Sequence, residues 1–196
     1  AAAAWEQLAQ APASDIPQLL AALDGANPLA AKWIRGAIAA ISERDDELPA
    51  DGLEEFVQET KHAPRGRRLA YELLLRVDES AKQRLLPKLL NDPSVELRRD
   101  AVAWQTNAAG FASNKQQAAK LYQSAFDAAV DDDQVKELTE KLKSLGVDVD
   151  VARHYGFVLN WHIIGPFDNA DEKGYDAAHS PEKQIDLAQK HTASHD

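Results

Sequence analysis

Residues 15–42, DIPQLLAALDGANPLAAKWIRGAIAAIS, hold the pattern that decides the fold. The apolar residues of the first half are spaced as one face of an amphipathic helix: Ile16, Leu19, Leu20 and Leu23. Residues 25–28 favour a turn, because Gly and Asn end helices and Pro begins them. The second half repeats the helical spacing: Trp33, Ile34, Ala37, Ile38 and Ile41. The stretch therefore predicts two antiparallel helices joined by a tight turn.

The same unit recurs twice further along the chain. Residues 52–78 carry apolar stripes, ending at Val77, on both sides of a turn at Pro64. Residues 82–105 do so around Pro93. With Pro28, the turn prolines recur 36 and 29 residues apart, as in helical repeat proteins. Such hairpins bury their apolar faces only against one another, which predicts a stacked array with one continuous core.

A more specific pattern lies in IPQLLAALDGANPLAAKWIRGAIAAI, from Ile16, and in LLPKLLNDPSVELRRDAVAWQ, from Leu85. The pattern begins with a proline and a Leu-Leu pair. An Asp/Asn-Pro turn comes next, and Val-x-x-Arg and a helix of small residues follow it. The residues that match it most closely are Asp92, Pro93, Val95, Arg98, Arg99 and Ala101. This pattern resembles that of HEAT repeats over residues 15–107. The resemblance implies a mostly α fold, an α-solenoid of stacked helical hairpins. The middle unit departs from the pattern, since His-Ala-Pro replaces the Asp-Pro turn.

Residues 114–146 predict a further helical hairpin, which is similar to a tetratricopeptide-type unit and would cap the stack. Gly146 is placed to end its second helix. Arg98 and Arg99 are expected to join neighbouring repeats by bonding carboxylates or helix C-terminal carbonyls.

The periodicity changes after residue 150. In GFVLNWHIIGPF, residues 156–167, the side chains of 157–164 alternate with a period of two, which predicts a β-strand that the following Gly-Pro ends. The motif within it resembles the entry strand of a galactose-binding-like sandwich in multidomain bacterial envelope proteins: Trp161, Gly165, Pro166, Phe167 and Asp168. A sandwich needs about 100 residues. We therefore divide the chain into a helical-repeat domain, 1–150, and a short β segment, 151–196, which is an incomplete sandwich or a partner-pairing tail.

Composition excludes several classes of partner. With 22 basic and 32 acidic residues the net charge is −10, which disfavours nucleic acid and anionic membranes. No apolar run is long enough to span a bilayer. The absence of Met and the alanine-rich start are typical of a chain that follows signal-peptide cleavage, and an arbitrary starting point gives the same pattern. We expect an extracytoplasmic location, in the periplasm or cell envelope.

The basic residues of the middle unit form one candidate partner-binding surface. Arg65, Arg67 and Arg68 are its centre, and a solvated helix face is the alternative. Trp161 and His162, on the predicted strand, are the other candidates for partner contact.

Two candidate metal sites lie near the C-terminus. One is a set of oxygen-bearing residues that would suit calcium, although their spacing is not that of an EF-hand and an Asx turn explains them equally: Asp168, Asn169, Asp171 and Glu172. The other is the pair His191 and His195, which suggests a metal-dependent enzyme only if the tail is helical. A solvated tail is the alternative that we favour.

These features predict a non-catalytic scaffold or protein-interaction module without a cofactor, part of a larger bacterial envelope protein. No nucleophile elbow, phosphate-binding glycine loop or dinucleotide motif occurs in the sequence. The partner would be another protein or a missing downstream domain, with possible strand pairing through residues 157–164. The alternative is a carbohydrate- or ligand-binding accessory region of a secreted multidomain enzyme or electron-transfer protein.

Overall fold

Helices account for most of the residues that the computed structural model describes, which are 2–160, 172, 174, 178, 180–184, 186 and 188. In chain order they are α1 Ala2–Ala9, α2 Ile16–Ala21, α3 Pro28–Arg44, α4 Ala50–Gln58, α5 Pro64–Val77, α6 Ala81–Leu85, α7 Val95–Gly110, α8 Lys115–Ala128, α9 Asp132–Ser144, α10 Val151–His154 and α11 Ser180–Lys183. Short 3-10 turns, Ala13–Asp15 and Leu86–Lys88, precede α2 and follow α6. The prediction of a mostly α fold is confirmed. Among these helices none has both the length and the apolar composition that crossing a membrane requires.

The helices begin where the sequence places its capping residues. Pro28 is the first residue of α3, and the Asn27 side chain accepts a 2.9 Å hydrogen bond from the Ala30 amide. Pro64 likewise opens α5. The Ser94 hydroxyl accepts a bond from an amide in the first turn of α7. Each cap gives a partner to an amide that the helix itself leaves unpaired.

Gly146 ends the last helix of this region, as predicted. Its φ of 82° is the left-handed conformation that glycine adopts without steric cost. The next amide, of Val147, donates to the carbonyl of Leu142 at 3.0 Å, which is the bond of a Schellman motif. Gly156, with φ 71°, follows α10 in the same way.

Each helix packs mainly on helices close to it in the sequence. The shortest α-helices of the first two hairpins, α2 and α4, contact each other, and α2 also packs on α3 and α5. Further on, α4 packs on α5, α5 on α7, and α7 on both α8 and α9. α1, which the sequence pattern did not predict, packs on α3.

One face of each helix supplies the hydrophobic core. The fully buried apolar side chains recur at helical spacing: Ile16, Leu20, Leu23, Ile38, Ile41, Leu53, Val57, Leu74, Leu85 and Leu97. Two residues of the predicted stripes are exceptions, since Trp33 is 41% exposed and Val77 39% exposed. The Trp33 ring lies 6.3 Å from that of Trp5 on α1, so this pair covers the edge of the core rather than filling its centre.

Contacts divide the chain into two units, of which the first ends at Val149 and the second begins at Asp150. In the second unit, the Asp150 side chain caps α10 by accepting a bond from the Arg153 amide. Residues 157–160, the first half of the predicted strand, are exposed and form no regular structure. Residues 161–164, the second half, lie outside the described residues. A strand needs a neighbour to pair its amides and carbonyls, and no described residue provides one.

Candidate functional site

The predicted basic surface of the middle unit is not one surface. Arg65 is exposed, and its guanidinium lies 3.3 Å from the Ala26 carbonyl. Arg68 is half-buried and bonds Glu72 and Asp100, so its charge has partners within the protein. Arg67 is fully buried, at 0% exposure. The prediction that Arg67 binds a partner is therefore wrong: its guanidinium lies inside the protein, out of reach of any external molecule.

The Arg67 guanidinium joins two consecutive hairpins. Its Nη1 and Nη2 donate to the two carboxylate oxygens of Asp92, at 2.7 and 2.6 Å. Its Nε and Nη2 donate to the Val57 carbonyl, at 2.8 and 2.6 Å. Val57 lies in the last turn of α4, where carbonyls have no partner in their own helix. One side chain thus closes the end of α4 and fixes the turn before α7.

Asp92 also orders the Asp-Pro turn to which it belongs. Its Oδ1 accepts a 2.8 Å bond from the Ser94 amide, and its backbone carbonyl accepts a 2.8 Å bond from Arg98 Nε. The carboxylate is buried, at 5% exposure, so its charge needs the bidentate partner that Arg67 supplies.

A signal for the burial of Arg67 was present in the sequence. Positions 67, 70, 71 and 74 share one face of α5, and Ala70, Tyr71 and Leu74 are all buried. An arginine within an apolar stripe is a candidate for a buried ion pair, but the neighbouring Arg65 and Arg68 gave it the appearance of a surface cluster.

The first two hairpins are joined through a second turn carboxylate, Asp24. Its Oδ1 accepts a 2.7 Å bond from the Ala63 amide, and its Oδ2 lies 2.7 Å from His62 Nδ1. Burial alone raises the pKa of Asp24, but the hydrogen bonds from Ala63 and His62 outweigh burial and hold that pKa below the usual aspartate value.

Arg99 makes the corresponding connection to the last hairpin of the first unit. Its Nη1 donates to Asp133 at 2.9 Å and lies 3.1 Å from Asp131, two acidic residues at the start of α9. The hydrogen bond from Arg99 lowers the pKa of Asp133 to about 2. Gln134 donates to the Arg99 carbonyl at 2.9 Å. The prediction that Arg99 bonds carboxylates of the next helices agrees with these contacts.

A groove between α3 and α5 is a candidate binding surface in the first unit. Half-buried Leu69 lies in the groove over the buried Ile38 and Leu73. The exposed edges carry charges of both signs: Arg35, Glu43, Glu72 and Arg76. Arg76 is held in place by a 2.9 Å bond to the Ser42 carbonyl. An apolar strip with mixed charges beside it suits a polypeptide segment better than a nucleic acid.

The remaining candidate residues fall largely outside the described part of the chain. This applies to Trp161 and His162, to three of the four calcium candidates, and to the tail histidines: Asp168, Asn169, Asp171, His191 and His195. Glu172, the fourth calcium candidate, is exposed and has a φ of 62°. Within the described residues no three His, Asp or Glu side chains converge as metal ligands do.

Comparisons of the chain with protein-family models, with curated proteins and with solved structures find no match. The resemblances to HEAT repeats and to the envelope-protein strand therefore stay predictions, which rest on the sequence motifs alone.

Proposed function

We propose that the first unit is a HEAT-like α-solenoid that serves as a non-catalytic protein-interaction module of a larger envelope protein. The observation that carries the proposal is that each hairpin is joined to the next by contacts between helices and by a carboxylate that lies in a turn or at the start of a helix. Asp24 joins the first hairpin to the second, Asp92 the third to the second, and Asp133 the fourth to the third. An array joined in this way has a long exposed surface along its helices, which suits an extended partner.

We place the partner in the groove between α3 and α5. Its half-buried Leu69 gives apolar contact, and Arg35 and Glu43 stand on the exposed edge two turns apart along α3. A polypeptide segment with one apolar side chain and flanking charges would match both the apolar contact at Leu69 and the charges of Arg35 and Glu43. Polar edges around an apolar centre are the usual anatomy of a protein interface.

A photo-crosslinking amino acid at Leu69 tests this placement. In cells that produce the full-length protein, we expect one discrete, saturable adduct from position 69 and none from Lys136, which is exposed on α9. Arg35→Glu in the same groove should weaken the adduct. Equal labelling from positions 69 and 136, or labelling that Arg35→Glu leaves unchanged, would contradict the proposal.

We further propose that residues 151–196 lead into the envelope part of that larger protein. Support comes from the resemblance of the Trp161 motif and from the exposure of Phe157, Val158 and Leu159, at 64, 62 and 59%. Such apolar side chains are usually covered by another part of a protein or by a partner. The test is the intact mass of the polypeptide recovered from its source and the cell fraction that contains it. A mass above 21.5 kDa in an envelope fraction is expected, and a cytosolic polypeptide of 21.5 kDa would contradict the proposal.

A further inference from the structure

One exposed face of α3 carries charges that are separated by sign. Lys32 and Arg35 lie in the N-terminal half of the helix, Glu43 lies in its last turn, and Ala39 lies midway between Arg35 and Glu43. Positions 32, 35, 39 and 43 follow the three- and four-residue spacing of one helix face, and all four side chains are exposed. This face, the α3 stripe, therefore has a positive end, a small apolar centre and a negative end.

No group within the described part of the chain neutralises either end of the α3 stripe. Among the residues that the structure describes, Lys32, Arg35 and Glu43 have no hydrogen bond or ion pair. Position 39 is four residues from both Arg35 and Glu43, and the alanine there pairs with neither. Lys32 and Arg35 repel each other, and Glu43 stands at the helix end where the macrodipole disfavours an anion. Opposite charges brought by another molecule would therefore stabilise both ends.

The α3 stripe is open to such a molecule, because the helices beside it cover other faces of α3. On one side α1 packs on α3, where Gly36 makes room for the Trp5 indole: a Cβ at Gly36 would lie 3.3 Å from its Nε1. On the other side Arg76 of α5 donates to the Ser42 carbonyl at 2.9 Å, and Leu69 lies half-buried in the groove. The stripe lies between these contacts and forms the exposed α3 edge of the groove.

The charges of the α3 stripe are complementary to the same stripe turned around. When two α3 helices lie antiparallel with Ala39 facing Ala39, Arg35 of each copy lies opposite Glu43 of the other, because both are four residues from the centre. Lys32 then lies opposite position 46, which is the exposed Asp46. We propose that the occupant of the groove between α3 and α5 is a second copy of this chain, which binds through the α3 stripe about a two-fold axis at Ala39. This inference rests on the proposed function, since it names the partner of that surface.

A second copy fits this surface better than an acidic or a basic peptide does. A partner of one sign would attract one end of the stripe and repel the other end. In a two-fold dimer every contact occurs twice, so two ion pairs between Arg35 and Glu43 flank the axis. The small side chain of Ala39 lets the two helices approach to the 8–10 Å at which helices pack. Leu69 and Trp33, which are partly exposed beside the stripe, add apolar contact area.

Sedimentation equilibrium of the full-length chain at low salt tests the pairing by charge reversal. Arg35→Glu and Glu43→Arg each turn two attractive contacts into two repulsive ones, and we expect each to weaken dimerisation about tenfold. An equimolar mixture of the two variants should dimerise as the natural chain does, because one variant then presents two anions to two cations of the other. Lys136→Glu and Glu140→Arg, on the exposed face of α9, make the same charge changes and should leave dimerisation unchanged. A natural chain that stays monomeric, or a mixture no more dimeric than its components, overturns the proposal.

Introduced cysteines locate the axis, since the chain has no cysteine of its own. Ala39→Cys should form a disulfide-linked dimer under mild oxidation, because an axis at residue 39 brings the two Cα atoms within the 4.4–6.8 Å that a disulfide spans. Arg35→Cys should crosslink faster in a mixture with Glu43→Cys than with itself. Lys136→Cys is the control and should stay uncrosslinked. If Ala39→Cys crosslinks no faster than this control, the two-fold contact described here does not exist.

The photo-crosslink at Leu69 distinguishes this inference from the proposed function. An adduct of twice the mass of the full-length chain supports a second copy as the occupant. A discrete adduct of any other mass keeps the groove as the binding surface and overturns the second copy. The absence of a discrete adduct contradicts both.

Discussion

At the scale of single residues, the first unit depends on a few charged side chains whose charges are matched inside the protein. Arg67 donates four short hydrogen bonds to two groups, the Val57 carbonyl and the Asp92 carboxylate, and has no exposed surface. Transferring such a charge from water is costly, and a bidentate carboxylate with a helix-end carbonyl offsets that cost. Arg84 differs from Arg67, because it is exposed and bonds Glu54 and Asp78 on the surface. Its ion pairs are solvated, whereas the ion pair of Arg67 is part of the interior.

Arg67→Met is expected to lower the free energy of unfolding by about 3–5 kcal/mol, because it leaves the buried Asp92 carboxylate without a countercharge. Denaturant unfolding measures the change. Adding Asp92→Asn should recover part of the loss, since the amide oxygen can still accept from the Ser94 N–H while the charge is gone. The control, Arg84→Ala, should leave the unfolding midpoint nearly unchanged. A loss no larger than that of Arg84→Ala would show that Arg67 is not the joint described here.

At the scale of elements, the helices follow from local chemistry. Prolines in the first turn, Asn27 and Ser94 at N-caps and Gly146 after the last turn each act within a few residues of sequence. Two glycines flank the hairpin of α8 and α9, and their backbone conformations differ. Gly110 lies within α7 at its end, whereas Gly146 has the positive φ that ends α9.

Gly146→Ala is expected to cost about 1–2 kcal/mol, because a Cβ makes the left-handed conformation unfavourable. Gly110→Ala should instead stabilise the protein by about 0.5–1 kcal/mol, since alanine is the better helix former and its Cβ would meet only the Tyr122 hydroxyl at 3.8 Å. Thermal or denaturant unfolding of the two variants should therefore move in opposite directions. Effects of the same sign would contradict the assigned end of α9.

The sequence predicts well the features that depend on nearby residues, and it misses those that depend on residues far away along the chain. The hairpin helices were predictable, because helical periodicity and caps are local signals. The burial of Arg67 depends on Asp92, which is 25 residues away and belongs to another hairpin. The sequence pattern did not predict α1, although alanine, of which this helix is largely made, has the highest helix propensity. The strand at 157–164 depends on pairing with residues elsewhere, so an alternating pattern alone does not establish it.

At the scale of the whole molecule, an acidic chain of net charge −10 uses several carboxylates as joints between hairpins. Asp24, Asp92, Asp100 and Asp133 each bond a group from a different hairpin. The pKa values of Asp24 and Asp133 lie below the ordinary value, so the folded state binds protons less readily than the unfolded chain at these sites. By linkage, the contribution of both residues to stability is present above the unfolded pKa, about 3.9, and is lost as the pH falls below it, in the case of Asp133 towards about 2.

Asp133→Asn is expected to be less stable than the natural chain at neutral pH and to lose less stability between about pH 4 and about pH 2. Unfolding midpoints measured at both ends of this interval, and at neutral pH, test the prediction. Asp51→Asn, on the exposed face of α4, is the control and should follow the natural chain throughout. Parallel curves for the Asp133 variant and the natural chain would mean that Arg99 and Asp133 do not pair in solution.

The bond from Arg67 to Asp92 also limits how this gene segment can be rearranged. Repeat arrays commonly grow and shrink by whole-unit duplication or loss, since each unit interacts chiefly with its neighbours. Excising residues 82–105 would leave the buried Arg67 without its carboxylate partner. Excising residues 52–78 would leave the buried Asp92 without its guanidinium partner. The second and third hairpins are therefore expected to be inherited, swapped or transplanted into another array as a pair.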